Sequence, residues 1–206
     1  MAEEIQEYIE KIRSADEVAR RCLALYAVIA AGHNESRSEL IDWTRRENLW
    51  KTVSPKEASF LQAVAPTQQQ LANATWRAEA LAPLLWALGL VPKLPPPTDL
   101  CDVQGLRRVL PPLLGSVVEW LSAARLCPDS EIHDANETIY QIHWRVRDAR
   151  LRNDPTPPGK LPRMPIADCE PPAASYNAGV VQERHYALNW LIGYRGQDWD
   201  HISTDT

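Results

Sequence analysis

From Leu71 to Val91 the chain reads LANATWRAEALAPLLWALGLV, and Leu71, Ala74, Ala78, Leu81, Leu85 and Leu88 recur at three and four residues, on one helical stripe. Trp76, Glu79, Pro83, Trp86 and Leu90 make a second stripe. A surface helix needs one apolar stripe; a helix covered on two faces must be enclosed by other helices. The stretch is therefore expected to be the core element of an all-α domain. Thr67 with Gln70 forms a capping box at its start, and Gly89 followed by Pro92 is a stop signal. The apolar part is shorter than the ~20 residues a bilayer span requires. Pro83 cannot donate to the carbonyl of Glu79, which predicts a kink and a free backbone acceptor beside an acidic side chain. A carboxylate placed there is expected to find an Arg or Trp donor in the interior, because buried charge is normally paired.

The segments before this run repeat one kind of start signal. An amphipathic helix is expected over residues 3 to 13, and Ser14 with Glu17 then opens an apolar one from Ala15 to about Ala31, ended by Gly32. Ser36 with Glu39 opens a helix through Trp43 to Trp50, and Ser54-Pro55-Lys56-Glu57 opens another with proline at its first position. After the central run, PKLPPPTD (92 to 99) is an extended, stiff connection. A short helix is expected near Leu106 to Leu110, a longer one from Pro112 to Leu126, another from about Ser130 to Arg152, and a last one from about Ala178 to Tyr194. Seven prolines between residues 153 and 176 mark a long loop. In the polar tail QDWDHISTDT, Trp199 and Ile202 are expected to pin the chain back onto the body. The organisation predicted is one helical domain over 1 to 206, with a core of about 15 to 194, proline-rich loops at 92 to 99 and 153 to 176, and a tail at 195 to 206.

Composition narrows the function classes. With 206 residues, 45% of them hydrophobic, the chain can bury a substantial core. A formal net charge of −5 and a pI near 5.6 argue against nucleic acid or an anionic membrane as the main partner, since phosphate binding needs a cationic surplus. The N-terminus MAEEIQEYIEKIR lacks the pattern of a signal peptide, so a cytoplasmic protein is expected. Cys22, Cys101, Cys127 and Cys169 are scattered without a CxxC pair, which points to reduced thiols and to neither zinc ribbon nor redox motif. Eight tryptophans against one phenylalanine bring polar N–H groups into the apolar interior, where several should donate hydrogen bonds.

No glycine-rich phosphate loop, GxSxG, HExxH or DxDxDG occurs, and no cofactor or metal is expected. The residual polar constellation is Glu79, Asp102, Tyr140, His143, Trp144, Arg147, Glu183, Arg184 and His185. Brought together, these would form a pocket or a buried polar network. Glu183 and His185 are two apart on a helix and point in different directions, which makes them poor joint ligands. On the 130 to 152 helix Tyr140 and Trp144 share one face and His143, Arg147 and Arg150 another. Arg145, Arg147, Arg150 and Arg152 lie within eight residues, interrupted by Asp148 in an acidic chain, so solvated or ion-paired arginines are favoured over a nucleic-acid patch.

The run ATWRAEALAPLLWALG, LCD at 100 to 102, YQIHWRVRDA at 140 to 149, ERHYALNWL at 183 to 191 and the ending WDHISTDT together resemble the bacterial domain-of-unknown-function 4272 family over roughly residues 20 to 206. The resemblance implies an uncharacterised soluble bacterial domain and carries over no activity, substrate or catalytic residue. It singles out Trp76, Glu79, Trp86, Cys101, Asp102, Tyr140, Trp144, Arg147, Glu183, Arg184, His185, Trp190, Trp199 and Asp200. The reading that follows is an acidic cytoplasmic inhibitor of immunity type, a monomer or homodimer that neutralises a toxin partner such as a nuclease, whose cationic active site an acidic surface would complement. The alternative is an enzyme or a small-molecule or metal-binding domain that uses a polar pocket between the central and C-terminal helices.

Overall fold

A computed structural model describes residues 10–94, 96–152 and 173–206, with backbone only at 152 and 174. Eight α-helices and no strand occur among these residues: α1 (Ala15–Gly32), α2 (Arg37–Arg46), α3 (Pro55–Gln62), α4 (Gln68–Ala87), α5 (Val103–Val109), α6 (Val118–Ser122), α7 (Asp129–Arg152) and α8 (Ala178–Leu191). None is long and apolar enough to cross a membrane. The fold is the all-α arrangement that the periodicity predicts.

Local signals set most helix starts. Ser14, Ser54 and Thr67 each accept from the backbone of the residue three on, and Glu17, Glu57 and Gln70 return the bond to the cap backbone. At α2 the Ser36 side chain accepts from Glu39 N. The start of α8 carries a cap that the sequence reading did not name, Asn177, whose Oδ1 accepts from the amides of Gly179 and Val180.

The most enclosed helix is α1. Fourteen of its eighteen residues are buried, because its run CLALYAVIAA is apolar on every side. The expected core helix, α4, begins at the surface and becomes enclosed only from Ala78 onward. The two lie along each other, α8 lies along α4, and α7 along α8, while α2 and α3 pack on α1 and on each other. Gly32 serves this contact more than it ends a helix. A Cβ built there would stand 3.0 Å from both Ala74 Cβ and the Thr75 amide nitrogen, so glycine lets α1 and α4 approach. The helix α4 runs through Pro83 and ends before Gly89, which adopts φ +69°.

Several expectations need correction. Residues 10 to 14 are not helical, and the rest of the expected 3-to-13 helix lies outside the described residues. Ser14 is extended as the α1 cap, and Arg13 is committed to the end of α8: its amide donates to Leu191 O (2.9 Å) and its Nε to Trp190 O (2.8 Å), with the guanidinium over the Trp190 ring. That arrangement satisfies terminal carbonyls a helix leaves open. The helix expected to reach Trp50 stops at Arg46, and Asn48 turns the chain in a left-handed conformation that asparagine tolerates. The helix expected over Pro112 to Leu126 shrinks to Val118–Ser122. Its first part is held open by α2, since Trp43 Nε1 donates to Gly115 O (2.7 Å) and Arg46 Nη2 to Leu114 O (2.8 Å). The last helix ends at Leu191, three residues early, with Gly193 at φ +71°. The proline-rich loop from 153 lies outside the described residues up to Ala173, where a 3-10 turn (Ala173–Ser175) begins.

The tail returns across the body as expected. Trp199 and Ile202 are buried, Trp199 stacks edge-on against Tyr186 and Trp190 and lies under the Arg21 guanidinium, and Tyr186 donates to Trp199 O. Asp200 accepts from the Lys56 amide (2.9 Å), putting a carboxylate at the N-terminus of α3 from 144 residues away.

Candidate functional site

Glu79 projects from the enclosed part of α4 and is 3% exposed. Its Oε2 accepts from Arg184 Nε (3.2 Å) and Nη2 (2.9 Å) on α8, and its Oε1 from the Cys101 amide (2.7 Å). Arg184 Nη2 also reaches Asp99 O at 3.2 Å. The ion pair therefore ties three segments together: the central helix, the last helix and the end of the proline-rich connection. Pro97 O adds to this by accepting from the Asn177 amide. The interior arginine donor expected for Glu79 is present, and both carboxylate oxygens are satisfied. Cys101 sits at the same junction, its thiol pushed up to about 12, first by burial and then by the Glu79 charge.

Two residues before Glu79 on α4, Arg77 Nη1 donates to Glu183 Oε2 at 3.0 Å. Burial raises the Glu183 pKa in spite of that partner. Glu183 and His185 diverge as their spacing requires, one toward α4 and the other toward α7. His185 is 1% exposed and places Nδ1 2.8 Å from Nδ1 of His143, the rings standing at 88°, with Tyr140 edge-on to His185. Burial first, and the neighbouring His143 second, lower His185 to about 4; burial and then Arg147 lower His143. Two neutral imidazoles so placed share one hydrogen. Their separation is shorter than the roughly 3.3 Å between two nitrogens on one tetrahedral zinc with bonds of about 2.0–2.1 Å. No group of three or more His, Cys, Asp or Glu among the described residues is placed to hold a metal.

The remaining members of the constellation lie apart. Asp102 is exposed ahead of α5 and its side chain makes no capping bond, so it does not join the network that Glu79 and Arg184 form. Arg147 is exposed and donates to Thr206 O at 2.9 Å, and Trp144 is half-buried. Of the four clustered arginines, expected to be solvated or ion-paired, Arg145 is 3% exposed; the helix face it occupies turns inward, and it has interaction partners there. A second buried pair, unnamed in the sequence reading, joins α1 to α3. Arg21 Nη2 reaches both oxygens of Glu57 (2.7 and 2.6 Å) and Nη1 reaches Thr52 O (2.6 Å). Glu57 was legible as half of a capping box, but its use as a counter-ion was not.

The Glu79–Arg184, Arg77–Glu183 and His143–His185 pairs draw on the runs that carry the sequence resemblance, and a family model matches residues 3–202. The chain belongs to the family described as Domain of unknown function (DUF4272). No curated protein and no solved structure matches it.

In this DUF4272 chain the polar constellation ties helices together, and an opening lies on the α1 side of α4. A cleft of about 370 Å³ is walled by Tyr26, Ile29 and Ala30 of α1, Ala78 and Leu81 of α4, and Val103 and Leu106 of α5, and Leu110 and Leu113 after α5 close it. His33, Glu35, Gln104 and Arg107 stand at its exposed mouth. Sequence reasoning missed this cleft because its walls have the same spacing and composition as core. The one local signal was Arg107 and Arg108 set between Leu106 and Leu110.

Proposed function

We propose that this chain is a binding protein, and specifically an acidic inhibitor of immunity type that neutralises a basic toxin domain such as a nuclease. The observation that carries this reading is the N-terminal half of α7. Asp129, Glu131, Asp134 and Glu137 are all exposed there, and no Lys or Arg occurs between residues 126 and 144. Glu131, Asp134 and Glu137 follow at three-residue steps, with Tyr140 36% exposed on the next turn. Carboxylates at a helix N-terminus also stabilise that helix through its dipole, which accounts for Asp129 and Glu131 in the first turn but extends little beyond it, to Asp134 and Glu137. A rigid row of negative charge with an aromatic residue at its end suits a cationic surface, and steers association. Further support comes from the interior use of Glu79, Arg184, Glu183 and Arg77, whose charges are spent on one another.

The test is co-production with the protein encoded beside it in a bacterial host, followed by size-exclusion chromatography and a growth-rescue assay. A stable complex that relieves toxicity is expected, and the combined change Glu131→Lys, Asp134→Lys and Glu137→Lys should abolish both while leaving helicity unchanged. Absence of complex and rescue with the unaltered chain overturns the reading.

A further inference from the structure

The cleft between α1, α4 and α5 is distinct from the acidic face of α7. Its wall is apolar apart from one group: Tyr26 is 7% exposed, stands edge-on to Trp43, and makes no hydrogen bond through its hydroxyl among the described residues. With no protein partner, that hydroxyl is free to pair with an oxygen atom brought by a ligand. At the mouth the charges are segregated. Glu35 follows the C-terminal end of α1, where the helix dipole is also negative, while Arg107 projects from α5 and has no ion-pair partner among the described residues. An anionic head is repelled from the α1 end and drawn to the α5 end.

We infer that the cleft binds a small amphipathic carboxylic acid, its hydrocarbon tail against Ile29, Leu81, Leu106 and Leu110 and its carboxylate on Arg107. At roughly 30 Å³ per water-sized unit, the volume holds about a dozen heavy atoms, the size of a medium-chain fatty acid or a compact aromatic acid. A neutral alcohol of equal length gains the apolar contact and the Tyr26 hydroxyl but not the charge-assisted bonds to guanidinium. An alkylammonium ion meets Arg107 as a like charge.

Titration calorimetry of the full chain with decanoate and decylammonium below their micelle-forming concentrations, and with decanol below its solubility limit, separates these terms. Decanoate should bind most tightly and decylammonium least. Arg107→Gln, on an exposed side chain, should weaken decanoate about tenfold and leave decanol unchanged. Val103→Trp, at the half-exposed mouth, should block all three. Tyr26→Phe should weaken decanoate about threefold while keeping or raising the thermal midpoint of the unliganded protein, a combination that a merely structural tyrosine would not give. Equal binding of decanoate and decanol, an unaffected Arg107→Gln variant, or no heat with any probe up to these limits overturns the inference.

Discussion

The two sides of α4 are built on opposite plans. Toward α8 it presents Arg77 and Glu79, each closed by a partner from the last helix. Toward α1 and α5 it presents Ala78 and Leu81, small and apolar, and there the packing leaves a cleft. Residue types usually associated with chemistry thus lock the fold on one side, while the opening is framed by types associated with core. Buried charges need complete partnering, which fixes their neighbours, whereas apolar walls impose no such demand and can leave room.

The largest expected effect lies on the polar side. Glu79→Gln leaves the Arg184 guanidinium buried without its counter-charge and should lower unfolding free energy by about 3–5 kcal/mol in denaturant titration. Adding Arg184→Met to that variant should recover part of the loss, since removing both charges is less costly than stranding one. A double variant no more stable than the single one would mean that the pair matters through its backbone contacts at Cys101 and Asp99 and not through its charge.

The histidine pair extends the comparison to α7. His185 is held at about 4 in the folded protein against an ordinary 6.5, so protonation favours the unfolded chain. Its stabilising contribution is complete above about pH 6.5 and drains as the pH falls toward 4, by at most ~3 kcal/mol. Glu183, raised by burial, works in the opposite sense, losing its contribution as the pH rises through its ordinary value near 4.5. Unfolding measured across this window should show net loss on acidification, and His185→Gln should flatten the slope. An unchanged slope would remove His185 from the account.

The smallest effect belongs to the cleft. Arg107 is exposed and makes no ion pair among the described residues, so Arg107→Gln should shift stability by no more than about 0.5 kcal/mol in thermal unfolding. A larger loss would show that the mouth of the cleft is part of the structural frame and would erase the contrast between the two sides.

Much of the helical plan was legible because its determinants are local. The boxes Ser14/Glu17, Ser54/Glu57 and Thr67/Gln70 act within one turn, and the three-and-four spacing of α4 acts within one helix. Even there, a distant contact overrode a local pattern. Residues from Pro112 on carry helical spacing, but the carbonyls of Leu114 and Gly115 are taken by Arg46 and Trp43 across the fold. For the same reason Asp102 and Arg184 looked equivalent as candidates, although one reaches solvent and the other a buried carboxylate 105 residues away.

By itself the sequence determined that this chain is helical, where most helices begin, and that Glu79 in an apolar run must find an interior donor. Only the tertiary structure decided that the donor is Arg184, that His185 faces His143, and that Tyr26 and Arg107 border a shared opening. Periodicity states which side of a helix avoids water but not which neighbour covers it. An apolar residue that completes a core and one that lines a cleft therefore read alike until the helices are assembled.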